Sequence, residues 1–123
     1  MKIYLAAKFE AKLVMRGVKL MIEELGHKVV STWLDEESLE TTVTDAMKLQ
    51  YALRDLSEIE DADLLILDTY DDNLRGGREV EYGYARALGK QTWVMGPQRN
   101  VFHHLAPHFD SWLDVRDSLR KEL

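Results

Sequence analysis

The sequence contains no cysteine. That absence removes disulfide scaffolds, zinc–thiolate centres, iron–sulfur clusters and cysteine nucleophiles together. It fits a soluble intracellular protein, because disulfides belong to oxidising compartments. Long apolar runs are also missing. No stretch approaches the roughly 18 residues that a spanning helix needs. The N-terminal apolar run 3–7 is too short for a signal-peptide core, and Lys8 ends it. A cytoplasmic protein without a membrane partner is the expectation. Positive charge is in deficit: 16 Lys and Arg stand against 22 Asp and Glu, for a formal net charge of -6. Gripping a phosphate backbone needs a basic face, so a nucleic-acid polymer is not an expected partner. A small anion held by a few local groups remains compatible with this charge.

Two nucleotide signatures are lacking as well. There is no G-x-x-x-x-G-K-[ST] and no G-x-G-x-x-G, which weighs against a P-loop nucleotidase and a dinucleotide dehydrogenase. No histidine pair has metal spacing on a helix. His103 and His104 are adjacent, point different ways and make a poor chelate. As isolated loop histidines they read first as surface or packing residues. Neither a cofactor nor a metal is expected.

What is present fits one domain over residues 1–123. Apolar residues make up 46% and charged residues 31%, an ordinary globular balance. Residues 2–7 favour a strand. Residues 10–25 carry Val14, Val18, Met21, Ile22 and Leu25 at helical spacing, with Gly26 as the stop. Residues 28–33 read as a second strand and 34–43 as an acidic loop. Thr44 or Asp45 caps a helix to about Glu60, with an apolar stripe of Leu49, Ala52, Leu53, Leu56 and Ile59. The continuous apolar run 64–67 suits a strand buried on both faces. Residues 69–77 are a polar loop. A helix over 78–88 places Val80, Tyr84, Ala87 and Leu88 on one face, and 91–95 form a fourth strand. A last helix spans 111–123, with Trp112, Val115 and Leu119 on one side. Strands alternating with helices predict an α/β, doubly wound, flavodoxin- or Rossmann-like parallel sheet of four to five strands. Ligands of such sheets bind beyond the carboxyl ends of the strands.

Four residues on that side carry possible chemistry. Glu79 and Glu81 follow the Gly76-Gly77 pair and are expected in the first helical turn, where the helix dipole favours ionised carboxylates. Asp55 flanks the apolar stripe of its helix. Tyr4 lies in the first strand, where a buried hydroxyl needs a partner such as a carboxylate.

Taken in order, several segments resemble the nucleoside 2-deoxyribosyltransferase family and its nucleotide N-glycosidase relatives. Lys2-Ile3-Tyr4-Leu5-Ala6-Ala7 is similar to the opening strand, and residues 26–33 to the second. Residues 55–63 resemble the D-L-x-x-I-x-x-A-D stretch. Residues 77–90 resemble the G-x-x-x-E-x-G-x-A-x-A-x-G-K block, which is the most specific part. Asn100-Val101-Phe102-His103 matches an N-V-F-H run of one branch. The resemblance implies Glu81 as nucleophile, Asp55 as sugar-binding or proton-transfer residue, and Tyr4 as the residue that orients Glu81. It places Glu79 outside the motif. It implies a substrate surface of Ala6, Lys8, Phe9, Trp33, Gly77 and Arg78, with Asp72 or Asp71 near the family's loop aspartate. Asn100 or His103 would act across a homodimer or higher oligomer. Lys8, Arg75 and Arg78 form a candidate phosphate cluster. The turn Ala6-Ala7-Lys8-Phe9 departs from the family's glycine- or serine-rich turn. The implied partners are a nucleoside or nucleotide and a free nucleobase, in a nucleoside-salvage reaction. The implied reaction is deoxyribosyl transfer through a glutamyl ester. Hydrolysis of a 2'-deoxynucleoside 5'-monophosphate and non-catalytic nucleotide binding are the alternatives.

Overall fold

The computed structural model describes residues 1–36, 43–72 and 75–122. Among the described residues there are five strands: β1 (Lys2–Ala6), β2 (Lys28–Val29), β3 (Leu64–Asp68), β4 (Gln91–Met95) and β5 (His108–Phe109). All neighbours run parallel, in the order β2-β1-β3-β4-β5. Four α-helices connect and cover them: α1 (Lys12–Glu24), α2 (Asp45–Asp61), α3 (Gly77–Ala87) and α4 (Trp112–Arg120). They pack in two pairs, α1 with α4 and α2 with α3. The fold is the α/β parallel sheet that the alternation predicts. All five residues of β3 are buried, which explains a run with no polar alternation. No helix among the described residues is long and apolar enough to cross a membrane.

β2 is shorter than the predicted strand over 28–33. The backbone ladder ends where Val30 N donates to Ile3 O (2.9 Å). Side chains then complete it. Leu5 N donates to Ser31 Oγ (3.0 Å), and Trp33 Nε1 donates to Leu5 O (2.8 Å). The chain is thereby released into a short 3-10 helix, Thr32–Asp35. Glu58 of α2 receives Thr32 N (3.0 Å) and Oγ1 (2.6 Å), which fixes this turn against α2. Residues 37–42 of the predicted acidic loop lie outside the described residues.

The α1 stripe keeps its predicted phase: Val18 and Ile22 are buried and Met21 and Leu25 pack against the core, with Met15 in place of the exposed Val14. The stripes of α2 and α3 turn out rotated. In α2 only Ile59 is buried, and Leu49 and Leu53 face outward. In α3 the buried residues are Arg78, Tyr82 and Ala85, and Val80 is 66% exposed. Hydropathy alone places Val80, Ala87 and Leu88 inward. The tertiary structure instead turns inward a face at i, i+4 and i+7 that begins with an arginine. Glu81, three residues after Arg78, falls on that face.

Past β4, Gly96 has a φ of 111°, and a Cβ there would lie 2.8 Å from Thr69 Oγ1 and 2.9 Å from Tyr70 N. Only glycine allows the β3 and β4 ends to approach this closely. The following segment, a 3-10 helix over Val101–Leu105, begins at Asn100, whose side chain accepts from Phe102 N and His103 N. The buried His103 bonds Glu79 of α3 at 2.9 Å through Nε2 and accepts from Arg99 N at 3.0 Å through Nδ1. Those two bonds define the neutral tautomer with its proton on Nε2.

Candidate active site

After β1 the chain leaves toward β2 on one side, and it returns to β3 on the other. The sheet therefore reverses its strand order between β1 and β3, the usual place for a ligand crevice. A cleft of about 440 Å³ opens at this end between α2 and α3. That volume suits a small molecule. Its floor and near wall come from Ala7, Lys8, Phe9 and Trp33. Its α2 wall is Tyr51, Ala52, Arg54, Asp55 and Leu56, with Glu36 beside it. Its α3 wall is Gly77, Arg78, Val80 and Glu81.

Glu81 and Asp55 thus share one cleft although 26 positions separate them in sequence. Tyr4 is fully buried beneath Glu81, and its hydroxyl donates to Glu81 Oε2. Burial pushes the Glu81 carboxyl up to about 8, against the downward pull of that bond. The helix start does not ionise Glu81 as the sequence suggests. α3 begins at Gly77, so only Glu79 lies in its first turn. Glu81 is a turn deeper, where loss of water outweighs the dipole. Burial and the Glu81 charge hold the Tyr4 phenol far above its ordinary range, so it remains a donor. Burial raises Asp55 as well, opposed by the bonds and charge of Arg54.

The two glutamates of α3 separate in role. Glu79 receives His103 and, at 3.4 Å, the Asn100 amide, and so holds the 101–105 segment. Glu81 enters the cleft. The other predicted substrate residues also divide. Lys8, Phe9, Trp33, Gly77 and Arg78 line the cleft; Ala6, Asp72, Asn100 and His103 are not among its lining residues. Asp72 pairs with Arg99 (2.9 Å). The candidate phosphate cations are engaged: Lys8 with Asp71 (3.1 Å) and Arg75 with Glu10 (3.5 Å). Arg78 is buried, donates to Asp68 O (3.0 Å), and leaves its Nε without a hydrogen-bond partner. A second cleft of about 500 Å³ shares Lys8 and Glu10 but contains none of Tyr4, Asp55 and Glu81.

Sequence reasoning passed over Glu36, Tyr51 and Arg54, which line the cleft. The signal available was the diagonal Tyr51, Asp55, Glu58 and Ile59, one face of a helix at i, i+4, i+7 and i+8.

A parallel sheet in this order carries a cleft at its switch point, with Glu81 and Asp55 on its walls and the buried Tyr4 bonded to Glu81. The chain belongs to the nucleoside 2-deoxyribosyltransferase family, whose sequence profile matches residues 3–115. It is similar in structure to the 2-deoxyribosyltransferase of the psychrotolerant bacterium Bacillus psychrosaccharolyticus. That match has 24% identity and a TM-score of 0.79, and covers 97% of this chain and 96% of the other. It is also similar to Clostridium botulinum CMP N-glycosidase, BcmB, with 19% identity, a TM-score of 0.65, and coverage of 97% and 98%. A conserved protein from Enterococcus faecalis V583 matches with 15% identity, a TM-score of 0.74, and coverage of 100% and 99%. No curated protein is significantly similar in sequence.

Proposed function

We propose that the protein is a nucleoside 2-deoxyribosyltransferase that works through Glu81. The observation that carries this reading is the Tyr4–Glu81 hydrogen bond on the wall of a cleft that also holds Asp55. Cleaving an N-glycosidic bond builds oxocarbenium character at the anomeric carbon. An ionised Glu81 stabilises that charge and closes onto the carbon as an ester, while the base departs with the bonding electron pair. Protonation makes the base a better leaving group, and Asp55 is the second carboxyl available for it. A second base then attacks the anomeric carbon and releases Glu81. Tyr4 stabilises the ionised glutamate by donating to it. Phe9 and Trp33, with ring centroids 6.3 Å apart, provide apolar faces for a nucleobase.

The test is product analysis with a deoxynucleoside and a different free base. Transfer by the wild-type protein and its loss in Glu81→Ala are expected. Undiminished transfer in Glu81→Ala would show the assignment to be wrong.

Hydrolysis of a 2'-deoxynucleoside 5'-monophosphate is the second reading. It is favoured by Arg78, a buried cation in the cleft wall at the start of α3, next to the diglycine turn. Base release from a deoxynucleoside and from its 5'-phosphate separates the two. An equal rate on both counts against the phosphate reading. In either case the protein works as a homodimer or higher oligomer that approaches through residues 100–104, where Val101 and Phe102 are 75% and 63% exposed.

A further inference from the structure

Arg54 and Asp55 are consecutive residues of α2, and consecutive side chains of a helix do not face each other. The Arg54 guanidinium nevertheless turns back onto its neighbour. Nε lies 3.2 Å and Nη2 2.9 Å from Asp55 Oδ1. Two further contacts hold it there. Nη2 also pairs with Glu36 Oε1, and the guanidinium carbon lies 5.1 Å from the centre of the Tyr51 ring. Glu36 is itself fixed, since its carbonyl receives Lys12 Nζ. Burial works against the Arg54 charge, but the bonds to Asp55 and Glu36 prevail and hold it above its ordinary range. All four groups, Glu36, Tyr51, Arg54 and Asp55, line the 440 Å³ cleft.

The grip is one-sided. Among the described residues, the hydrogen bonds made to the Asp55 side chain all go to Oδ1. An aspartate free to rotate about its last bond would offer either oxygen. One held by a forked donor keeps one oxygen occupied and the other available. We propose that Arg54, anchored by Glu36, is a positioning residue of this site: it fixes Asp55 by Oδ1 and leaves Oδ2 as the oxygen that meets the substrate. This rests on the deoxyribosyl-cleavage reading for what Asp55 does, but the grip itself is independent of it.

Three variants test the proposal: Arg54→Gln, Arg54→Lys and Glu36→Gln. Two readouts are used, base release from a deoxynucleoside in the presence of a different free base as acceptor, across pH, and ¹³C NMR titration of the Asp55 carboxyl. Melting curves establish that each variant is folded. In Arg54→Gln, kcat falls about 10- to 100-fold with a smaller change in KM, because a misplaced catalytic group affects turnover more than binding. The Asp55 titration moves to higher pH, because the neighbouring cation is gone. Arg54→Lys restores the titration but only part of kcat, since an ammonium supplies charge without the fork. Glu36→Gln, which keeps both residues but loosens the anchor of Arg54, lowers kcat by a smaller factor. An Asp55 titration unmoved in Arg54→Gln overturns the proposal. So does full recovery of kcat in Arg54→Lys, which would reduce the role to charge alone. A wild-type protein that releases no base overturns the functional reading instead, and the NMR titration still decides whether Arg54 controls Asp55.

Discussion

Glu81 keeps its proton up to a pH near 8 in the free protein, yet the proposed chemistry needs it ionised. The rate profile should therefore rise with pH. We expect kcat/KM to climb through about pH 8, as followed by initial rates of base release from pH 5.5 to 9.5. Tyr4→Phe removes a hydroxyl donor that favours the ionised form. Its rising limb should move to higher pH, and activity at pH 7 should drop about 10- to 100-fold. The same burial has a cost in stability. A carboxyl whose folded pKa lies above its ordinary 4.5 binds more protons folded than unfolded. Its contribution to stability is fully present below that value and is lost as pH rises through about 8. Glu81→Gln should thus be more stable than the wild type at pH 9, by roughly 2–4 kcal/mol, and melt higher there, with little difference at pH 4. Equal melting temperatures at pH 9 would contradict the assigned burial. At this scale the identity of the glutamate is legible in the sequence block around it. Its protonation is not, because it depends on how much water Tyr4, Asp55 and the two helices exclude.

Among the elements, α3 shows most clearly how packing overrules pattern. Its apolar residues Val80, Ala87 and Leu88 suggest one face, but the sheet receives Arg78, Tyr82 and Ala85. The reason lies in the neighbours. Arg78 finds the Asp68 carbonyl, and the Tyr82 hydroxyl finds the Phe102 carbonyl at 2.6 Å, so polar groups satisfied on the inside displace apolar ones to the outside. Glu79 and Glu81 then point to different tasks, and mutation should separate them. Glu79→Ala removes the partner of a fully buried histidine and should cost about 1–3 kcal/mol in denaturant unfolding. It should change turnover far less than Glu81→Ala. Comparable losses of turnover in the two variants would contradict this division. In the 101–105 segment, Asn100 is legible as a cap, whereas the bond from His103 to Glu79 joins residues 24 apart and leaves no local signal.

For the whole molecule, the outward-facing apolar residues carry the expectation of an oligomer. Val101, Phe102 and Leu105 stand out on one short 3-10 helix, and each is more than half exposed. A monomer leaves this surface to water. Phe102→Glu retains the carbonyl that Tyr82 uses but places a charge in the proposed contact. Light scattering should show a smaller particle than the wild type, with reduced activity that tracks the loss of assembly. A variant of unchanged size would remove the 100–104 contact from the proposal. The sequence by itself determined the alternation of strands and helices, the parallel sheet, the family, and the order Tyr4, Asp55, Glu81 along the chain. These depend on local periodicity and short spacings, which the chain carries wherever it folds. Only the tertiary structure decided which faces of α2 and α3 are buried, that Arg54 and Glu36 join the cleft, and that Glu81 sits in surroundings dry enough to hold its proton. Those outcomes depend on side chains brought together from distant positions, where hydrogen bonding and loss of water, more than hydropathy, set the energy.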